Sequence, residues 1–244
     1  MRNTISAPIK EQRSEKLAAV LAFAALLLSA CATTGNNPKD PNEGFNRAMF
    51  EVHEGIDTVI AKPLAKGYDA AVPLPVKASV GNLFGNVGDL LIGVNNGLQG
   101  KVDDGASDLL RLLINSTVGI FGLFDVASEM GLEKHNEDFG QTLAVWGMDD
   151  GGYLFLPIVG PRTARDGLGF LVDTYADPVR WGIDRVSVRN SAMGLRMIDI
   201  RASLLPSDRV VEEAALDKYS YIRDAYLQRR RNLIYDGNPP KLED

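Results

Sequence analysis

An uncharged run at residues 17–28 follows the cations Arg2, Lys10, Arg13 and Lys16 and ends in Leu28-Ser29-Ala30-Cys31, so whatever this chain folds into begins after that point. A bilayer's hydrocarbon layer is about 30 Å thick, and so short a run suits a signal-peptide core rather than a finished transmembrane anchor. The tetrapeptide looks like a lipobox, in which small residues admit the lipoprotein peptidase and Cys31 becomes the acylated N-terminus. Residues 1–30 are expected to be a removed signal peptide and 31–39 a lipidated N-terminus with the small, polar tether ATTGNNPK. Cys31 is the only cysteine, which leaves no disulfide or thiol chemistry for the fold.

The spacing after the tether predicts helices. Asp40-Pro41-Asn42-Glu43 reads as a start signal, with Asp at the N-cap, Pro first and Glu third. Phe45, Met49, Val52, Ile56 and Val59 then form an apolar stripe that Pro63 ends or bends. A second helix is expected from about 76 to 99, and a third over 103–115. Residues 112–124 carry no charge, and Gly119 and Gly122 argue for a break or hairpin there. Another uncharged run, 153–159, is interrupted by Pro157 and reads as a poor central strand. Helical periodicity resumes near Thr163, pauses at Asp177-Pro178, continues to Leu205 and stops at Pro206. A last helix ends in Arg229-Arg230-Arg231, and the tail 236–244 reads as disordered. The expected fold is all-α, with amphipathic helices around a Gly/Pro-rich central hairpin or loop region, lipid-anchored at the N-terminus. One helical domain over 40–235 accommodates it.

The second helix has an odd polar face. Asn82, Asn86, Asp89, Gly93 and Asn96 recur at helical spacing where a water-facing helix would carry Lys and Glu, and Asp89 is the only charge between Lys77 and Lys101. Such a face is a weakly polar solvent side, an Asn ladder to neighbouring helices, or the lining of a water-containing passage through an apolar body; the passage is favoured, because polar groups at membrane depth face an interior or a cavity. The uncharged runs 112–124 and 153–159 are either buried core or segments that dip into the lipid to which Cys31 ties the chain.

Net charge is −6 over the whole sequence, and the leader contributes basic excess. The remaining acidity argues against nucleic acid as a partner. Neither of the two histidines, His53 and His135, has a partner at metal-ligand spacing, and both read as surface residues. There is no GxSxG elbow and no GxxxxGK[ST] phosphate loop. No catalytic residue, metal or cofactor is expected, and the chain is not read as an enzyme.

In order along the chain stand Asp40-Pro41-Asn42-Glu43-Gly44-Phe45-Asn46-Arg47, Pro63, Asn82-Leu83-Phe84-Gly85-Asn86 and the NNGLQG run from Asn95 to Gly100. Arg111, Asn115, Gly119 and Asp125 follow, then Asp138-Phe139-Gly140-Gln141-Thr142-Leu143, Gly152-Tyr153, Gly160-Pro161, Arg165-Asp166 and Asp177-Pro178. This ordered set resembles the MlaA (VacJ) family of outer-membrane lipoproteins. The resemblance implies a ring-like helical protein in the inner leaflet of the outer membrane. Its amphipathic channel returns mislocalised phospholipids from the outer leaflet, and it works with a trimeric porin and a soluble periplasmic phospholipid carrier of the Mla pathway. Ala32 rather than Asp after the cysteine implies, by likeness to lipoprotein sorting, release to the outer membrane at its periplasmic leaflet. Candidate channel residues are Asn82, Asn86, Asp89 and Asn96 on the wet side, with Tyr153, Gly160, Arg162 and Arg165 at the mouth. Arg162 and Arg165 either touch a lipid phosphate or form an ordinary solvated helix start. A structural scaffold of the envelope without channel activity is the alternative function.

Overall fold

The computed structural model describes residues 37–241. Cys31, the signal peptide 1–30 and the tether up to Asn36 lie outside the described residues.

Helix α1 (Glu43–Ile56) passes through a π-helical turn (Asp57–Ala61) into α2 (Lys62–Ala71). Pro63 therefore does not end the helix. A proline lacks the N–H of the ladder and its ring crowds the carbonyl four residues back, and the wider turn just before it absorbs both defects. The Lys62 N–H bonds to the Asp57 carbonyl, five residues back. The true stop is Val72, extended at φ −99° and ψ 122°, as the residue before Pro73 must be.

The start signal also works differently from the expectation. Asn42 precedes α1 without a side-chain cap bond, and Asp40 is fully buried. It accepts from Asn46 Nδ2 at 2.8 Å, Tyr219 Oη at 2.6 Å and Arg223 Nη1 at 3.2 Å. A carboxylate gains more from a guanidinium and a phenol than from one cap N–H, so the residue beside the tether is riveted to the far end of the chain.

Helices α3 (Leu74–Leu98) and α4 (Val102–Thr117) form a tight antiparallel pair joined through Gly100 at φ 83°. They meet at glycine: a Cβ on Gly105 would stand 2.9 Å from the Gly93 carbonyl oxygen, a backbone approach that a larger residue would block. After the turn at 118–124 come α5 (Val126–Glu129), an extended strap at 132–137 and α6 (Phe139–Val145). A small antiparallel hairpin follows, β1 (Tyr153–Leu156) paired with β2 (Gly160–Thr163) in the register Tyr153↔Thr163 to Leu156↔Gly160. Pro157 lies in its turn rather than in a strand, so it costs no ladder bond. Then follow α7 (Ala164–Ala176), α8 (Pro178–Gly182), α9 (Val186–Ser203), α10 (Leu205–Ala214) and α11 (Lys218–Ile234). Pro206 ends α9 as expected and sits in the first turn of α10.

The contacts close a circuit. The β-hairpin touches α1 and α11, α11 touches α6, α6 touches α3, α3 touches α9, and α9 returns to α2. This is the ring-like helical arrangement that the family resemblance implies. The start of the tail lies against the body: Asp236 Oδ1 pairs with Lys101 Nζ at 2.5 Å, and Arg231 donates to the Pro240 carbonyl.

Candidate functional site

The polarity of α3 and α4 is inverted. On α3, Asn86, Asp89, Gly93, Asn95 and Asn96 are buried, whereas Leu74, Val76, Val94 and Leu98 are exposed. On α4, Asp108, Arg111 and Asn115 are buried while Leu109, Leu110 and Leu113 face outward. The turn that follows continues the apolar exterior with Val118, Ile120 and Phe121, the last 78% exposed. Ile120 and Phe121 hold positive φ, 53° and 58°, a strained conformation for non-glycine residues that persists only when the surroundings enforce it. Asn82 helps to enforce it by donating to the Leu123 carbonyl at 3.2 Å.

Inside the pair runs a polar seam. Asn86 donates to Ser116 Oγ at 2.9 Å, and Asn96 to Asp108 at 2.8 Å. The Arg111 guanidinium grips both oxygens of Asp125 at 2.9 and 3.0 Å, and its Nε stands 3.6 Å from Asp89. Lys134, on the strap, reaches down to Asp89 and to the Gly85 carbonyl. Burial pushes the Asp89 carboxyl above the usual carboxylate range, against the pull of Lys134. Burial pushes Asp125 upward too, but bonds from Ser128 and Asn115 and the Arg111 charge win and bring it down to about 2. Asn82, Asn86, Asp89, Arg111 and Lys134 surround a cavity of about 60 Å³. Asn86 Oδ1, Asp89 Oδ2 and Arg111 Nε stand buried there without a hydrogen-bond partner in the protein. That volume suits one or two water molecules, and the three unpaired atoms are what such waters bridge. Asn96 lies elsewhere along the seam. His135 is not a free surface residue, since its Nδ1 lies 3.0 Å from Asp108 and ties the strap to α4.

The second candidate group divides. Tyr153 is 1% exposed in a small aromatic core with Phe50, Phe155 and Tyr219, whose rings meet edge to face at 5.3 to 6.1 Å. Gly160, at φ 92°, opens β2, and Arg162 lies over the Phe170 ring at 5.2 Å. These three shape the wall of the hairpin. His53, read as a surface residue, instead accepts the N–H of Ile158 on its Nδ1 at 3.1 Å and packs on Phe155. Ile158 holds φ 70°, so this bond pins a strained turn. Burial holds the His53 pKa below its ordinary 6.5. Its contribution is therefore complete above pH 6.5 and is lost as pH falls, because the protonated ring cannot accept. Titration followed by NMR is expected to show the Ile158 amide shifting with the His53 ring below that pH, and His53→Phe to abolish the coupling.

Arg165 alone of the four borders a larger cavity. At about 670 Å³ it has the size of a small-molecule site. Lys39, Arg230, Arg231, Asp149 and Asp150 share its wall with apolar Met148, Leu227 and Ile234. Behind it, Arg230 binds both oxygens of Asp138 at 2.5 and 2.6 Å and Asp166 at 2.9 Å, and Tyr226 donates to Asp166 at 2.5 Å. Arg165 donates to Asp166 at 3.3 Å and to the Met148 carbonyl at 3.2 Å. Gly169 and Gly140 allow α7 to lie on α6 beside this cluster; a Cβ on Gly169 would fall 2.3 Å from the Gly140 nitrogen.

The residues missed by sequence reasoning are Asp108, Arg111 and Asn115, and Arg230 with Asp138. The first three did carry a signal, since their helical spacing on α4 mirrors the Asn face of α3. Arg230 read as one of three cations at a helix end.

The chain's relatives agree with this architecture. The family model described as MlaA lipoprotein matches residues 38–233. The intermembrane phospholipid transport system lipoprotein MlaA of Escherichia coli K12 is 33% identical over 231 residues, covering 92% of this chain and 90% of that protein. Its counterpart in Haemophilus influenzae is 30% identical over 88% of this chain and 89% of its own length, and a protein of Rickettsia typhi is 38% identical over 82% of this chain and 80% of its own. A solved structure, described as the structural basis for maintenance of bacterial outer membrane lipid asymmetry, aligns with a TM-score of 0.69 at 31% identity, over 82% of this chain and 99% of that one. A family model spanning nearly the whole described chain, together with relatives of this identity and coverage, places the chain in the MlaA lipoprotein family.

Proposed function

We propose that this chain is an outer-membrane lipoprotein, held at the periplasmic leaflet by acylated Cys31, that withdraws mislocalised phospholipids from the outer leaflet and passes them toward the periplasm. The observation that carries the reading is the inverted polarity of α3 and α4. Apolar side chains outside and an Asn, Asp and Arg seam inside suit a body whose surroundings are lipid and whose interior is wet. No described helix is long and apolar enough to cross a membrane, which fits a protein that lies within one leaflet.

In this reading Asn82, Asn86, Asp89 and Asn96 form the wet side of the ring. Tyr153, Gly160 and Arg162 fix the hairpin wall, and Arg165 meets the headgroup in the larger cavity. A trimeric porin that holds the ring in the membrane and a soluble periplasmic carrier that receives the lipid complete the route. Movement through the ring is passive, driven by what the carrier removes.

The test is deletion of the gene in its native host, followed by measurement of surface-accessible phospholipid. A rise of several-fold, reversed by the wild-type chain but not by Arg162→Ala/Arg165→Ala made at equal abundance, is the expected result. Unchanged surface phospholipid in the deletion strain would instead favour the scaffold reading.

A further inference from the structure

The larger cavity carries charges of both signs that the fold leaves uncommitted. Lys39 makes no ion pair among the described residues, and neither do Asp149 and Asp150; the Asp150 carboxylate accepts only the Gly152 N–H, at 3.4 Å. Arg230 is 7% exposed, and its Nε has no hydrogen-bond partner although both its terminal nitrogens are bound to carboxylates. That Nε is itself closed off from solvent, so Arg230 places its charge behind the cavity wall rather than a free donor into the cavity. Arg165, 6% exposed, commits Nε and Nη1 to Asp166 and Met148, which leaves its other nitrogen for the cavity. One side of the wall thus offers Lys39 and Arg165 to an anion, with the Arg230 charge behind them. The turn at 148–151 offers two exposed carboxylates to a cation, and Leu227 and Ile234 supply an apolar flank.

We propose that this cavity binds the zwitterionic headgroup of an amine-bearing phospholipid. The phosphate is held by Lys39 and Arg165 with the Arg230 charge behind them, the ammonium by Asp149 and Asp150, and the start of the acyl chains lies against Leu227 and Ile234. Guanidinium groups favour phosphate oxygens through charge-assisted bonds, whereas the carboxylates would repel a purely anionic headgroup. The cavity also lies where the chain leaves for its anchor. Lys39 lines it, and eight residues from Cys31 span at most about 28 Å when extended, so the site stays within reach of the leaflet. This proposal rests on the transport reading and adds to it the class of lipid selected.

The experiment uses the purified mature lipoprotein in detergent, titrated with dihexanoyl phosphatidylethanolamine, dihexanoyl phosphatidylglycerol and inorganic phosphate. Phosphatidylethanolamine is expected to bind at least five-fold more tightly than phosphatidylglycerol. Asp149→Asn/Asp150→Asn, both exposed positions, should erase that preference by strengthening phosphatidylglycerol binding. Lys39→Gln should weaken both lipids about equally. Equal affinity for the two lipids in the wild-type chain overturns the proposal, as does failure of phosphatidylethanolamine to bind. Inorganic phosphate binding as tightly as phosphatidylethanolamine would reassign the cavity to a free anion. These outcomes are separable from the transport reading, because surface phospholipid in the deletion strain is measured without reference to headgroup choice.

Discussion

Arg111→Met is expected to lower the stability of the fold by about 3–5 kcal/mol, the typical cost of stripping one partner from a buried ionic group. Methionine nearly conserves the volume, so the loss is electrostatic rather than a cavity effect. Arg111 is fully buried and is the point where three elements meet. It holds both oxygens of Asp125 at the start of α5, the Ser128 hydroxyl at 3.0 Å and the Leu132 carbonyl at the start of the strap, and it stands beside Asp89 of α3. Without it, Asp89 keeps only Lys134, and the low-pKa Asp125 loses its main counter-charge. The comparison variant is Lys62→Met. Its pairs with Asp208 and Glu212, at 3.1 and 3.3 Å, are partly exposed, and pairs of that kind contribute about 1 kcal/mol or less. Denaturant unfolding of both variants at unchanged m-value provides the measurement. A loss below 1 kcal/mol for Arg111→Met would mean that the polar seam is not what holds α3, α4 and α5 together. Asp89→Asn/Arg111→Met/Asp125→Asn should recover part of the loss, since removing all members of a buried network is milder than removing one.

How much of this was legible beforehand depended on whether the signal was local. The limits of α3 and α4 came through within two residues, because apolar spacing and the Gly100 break are properties of the segment itself. So did the oddity of Asn82, Asn86, Asp89 and Asn96. That this face points inward was legible only from its lack of Lys and Glu, because periodicity gives a helix two faces and is silent on the medium beyond each. Asp40 looked like a cap because a cap needs only three neighbours in sequence; its real partners, Tyr219 and Arg223, are at the other end of the chain. The larger cavity was invisible for the same reason. Lys39, Arg165 and Arg230 converge only once α11 packs along the hairpin and α6, and neither Lys39 nor Arg230 alone reads as more than an ordinary solvated cation.

The exposed apolar face carries the second large effect. Leu113 and Phe121 are 62% and 78% exposed, on α4 and on the strained turn that follows it. If lipid covers them, a charge at either position must be dragged into or out of the hydrocarbon edge, at about 2 kcal/mol each for partial depth. Leu113→Lys/Phe121→Lys in a mature chain carrying Cys31→Ala, which removes the acyl anchor from the balance, is therefore expected to weaken partitioning into phospholipid vesicles by about 100- to 1000-fold. In water the same substitutions should leave stability unchanged or slightly improved, because they replace exposed apolar surface with charge and touch no buried contact. That pairing of outcomes separates lipid from its rivals. Were these residues core, the double substitution would unfold the chain; were they an ordinary solvent face, partitioning would not change. If a protein partner rather than lipid covers the face, vesicle partitioning would be weak in the wild-type chain as well, and the charges would act only when that partner is present. A large loss of partitioning in a chain that still folds is the one result that the inverted polarity of α3 and α4 predicts.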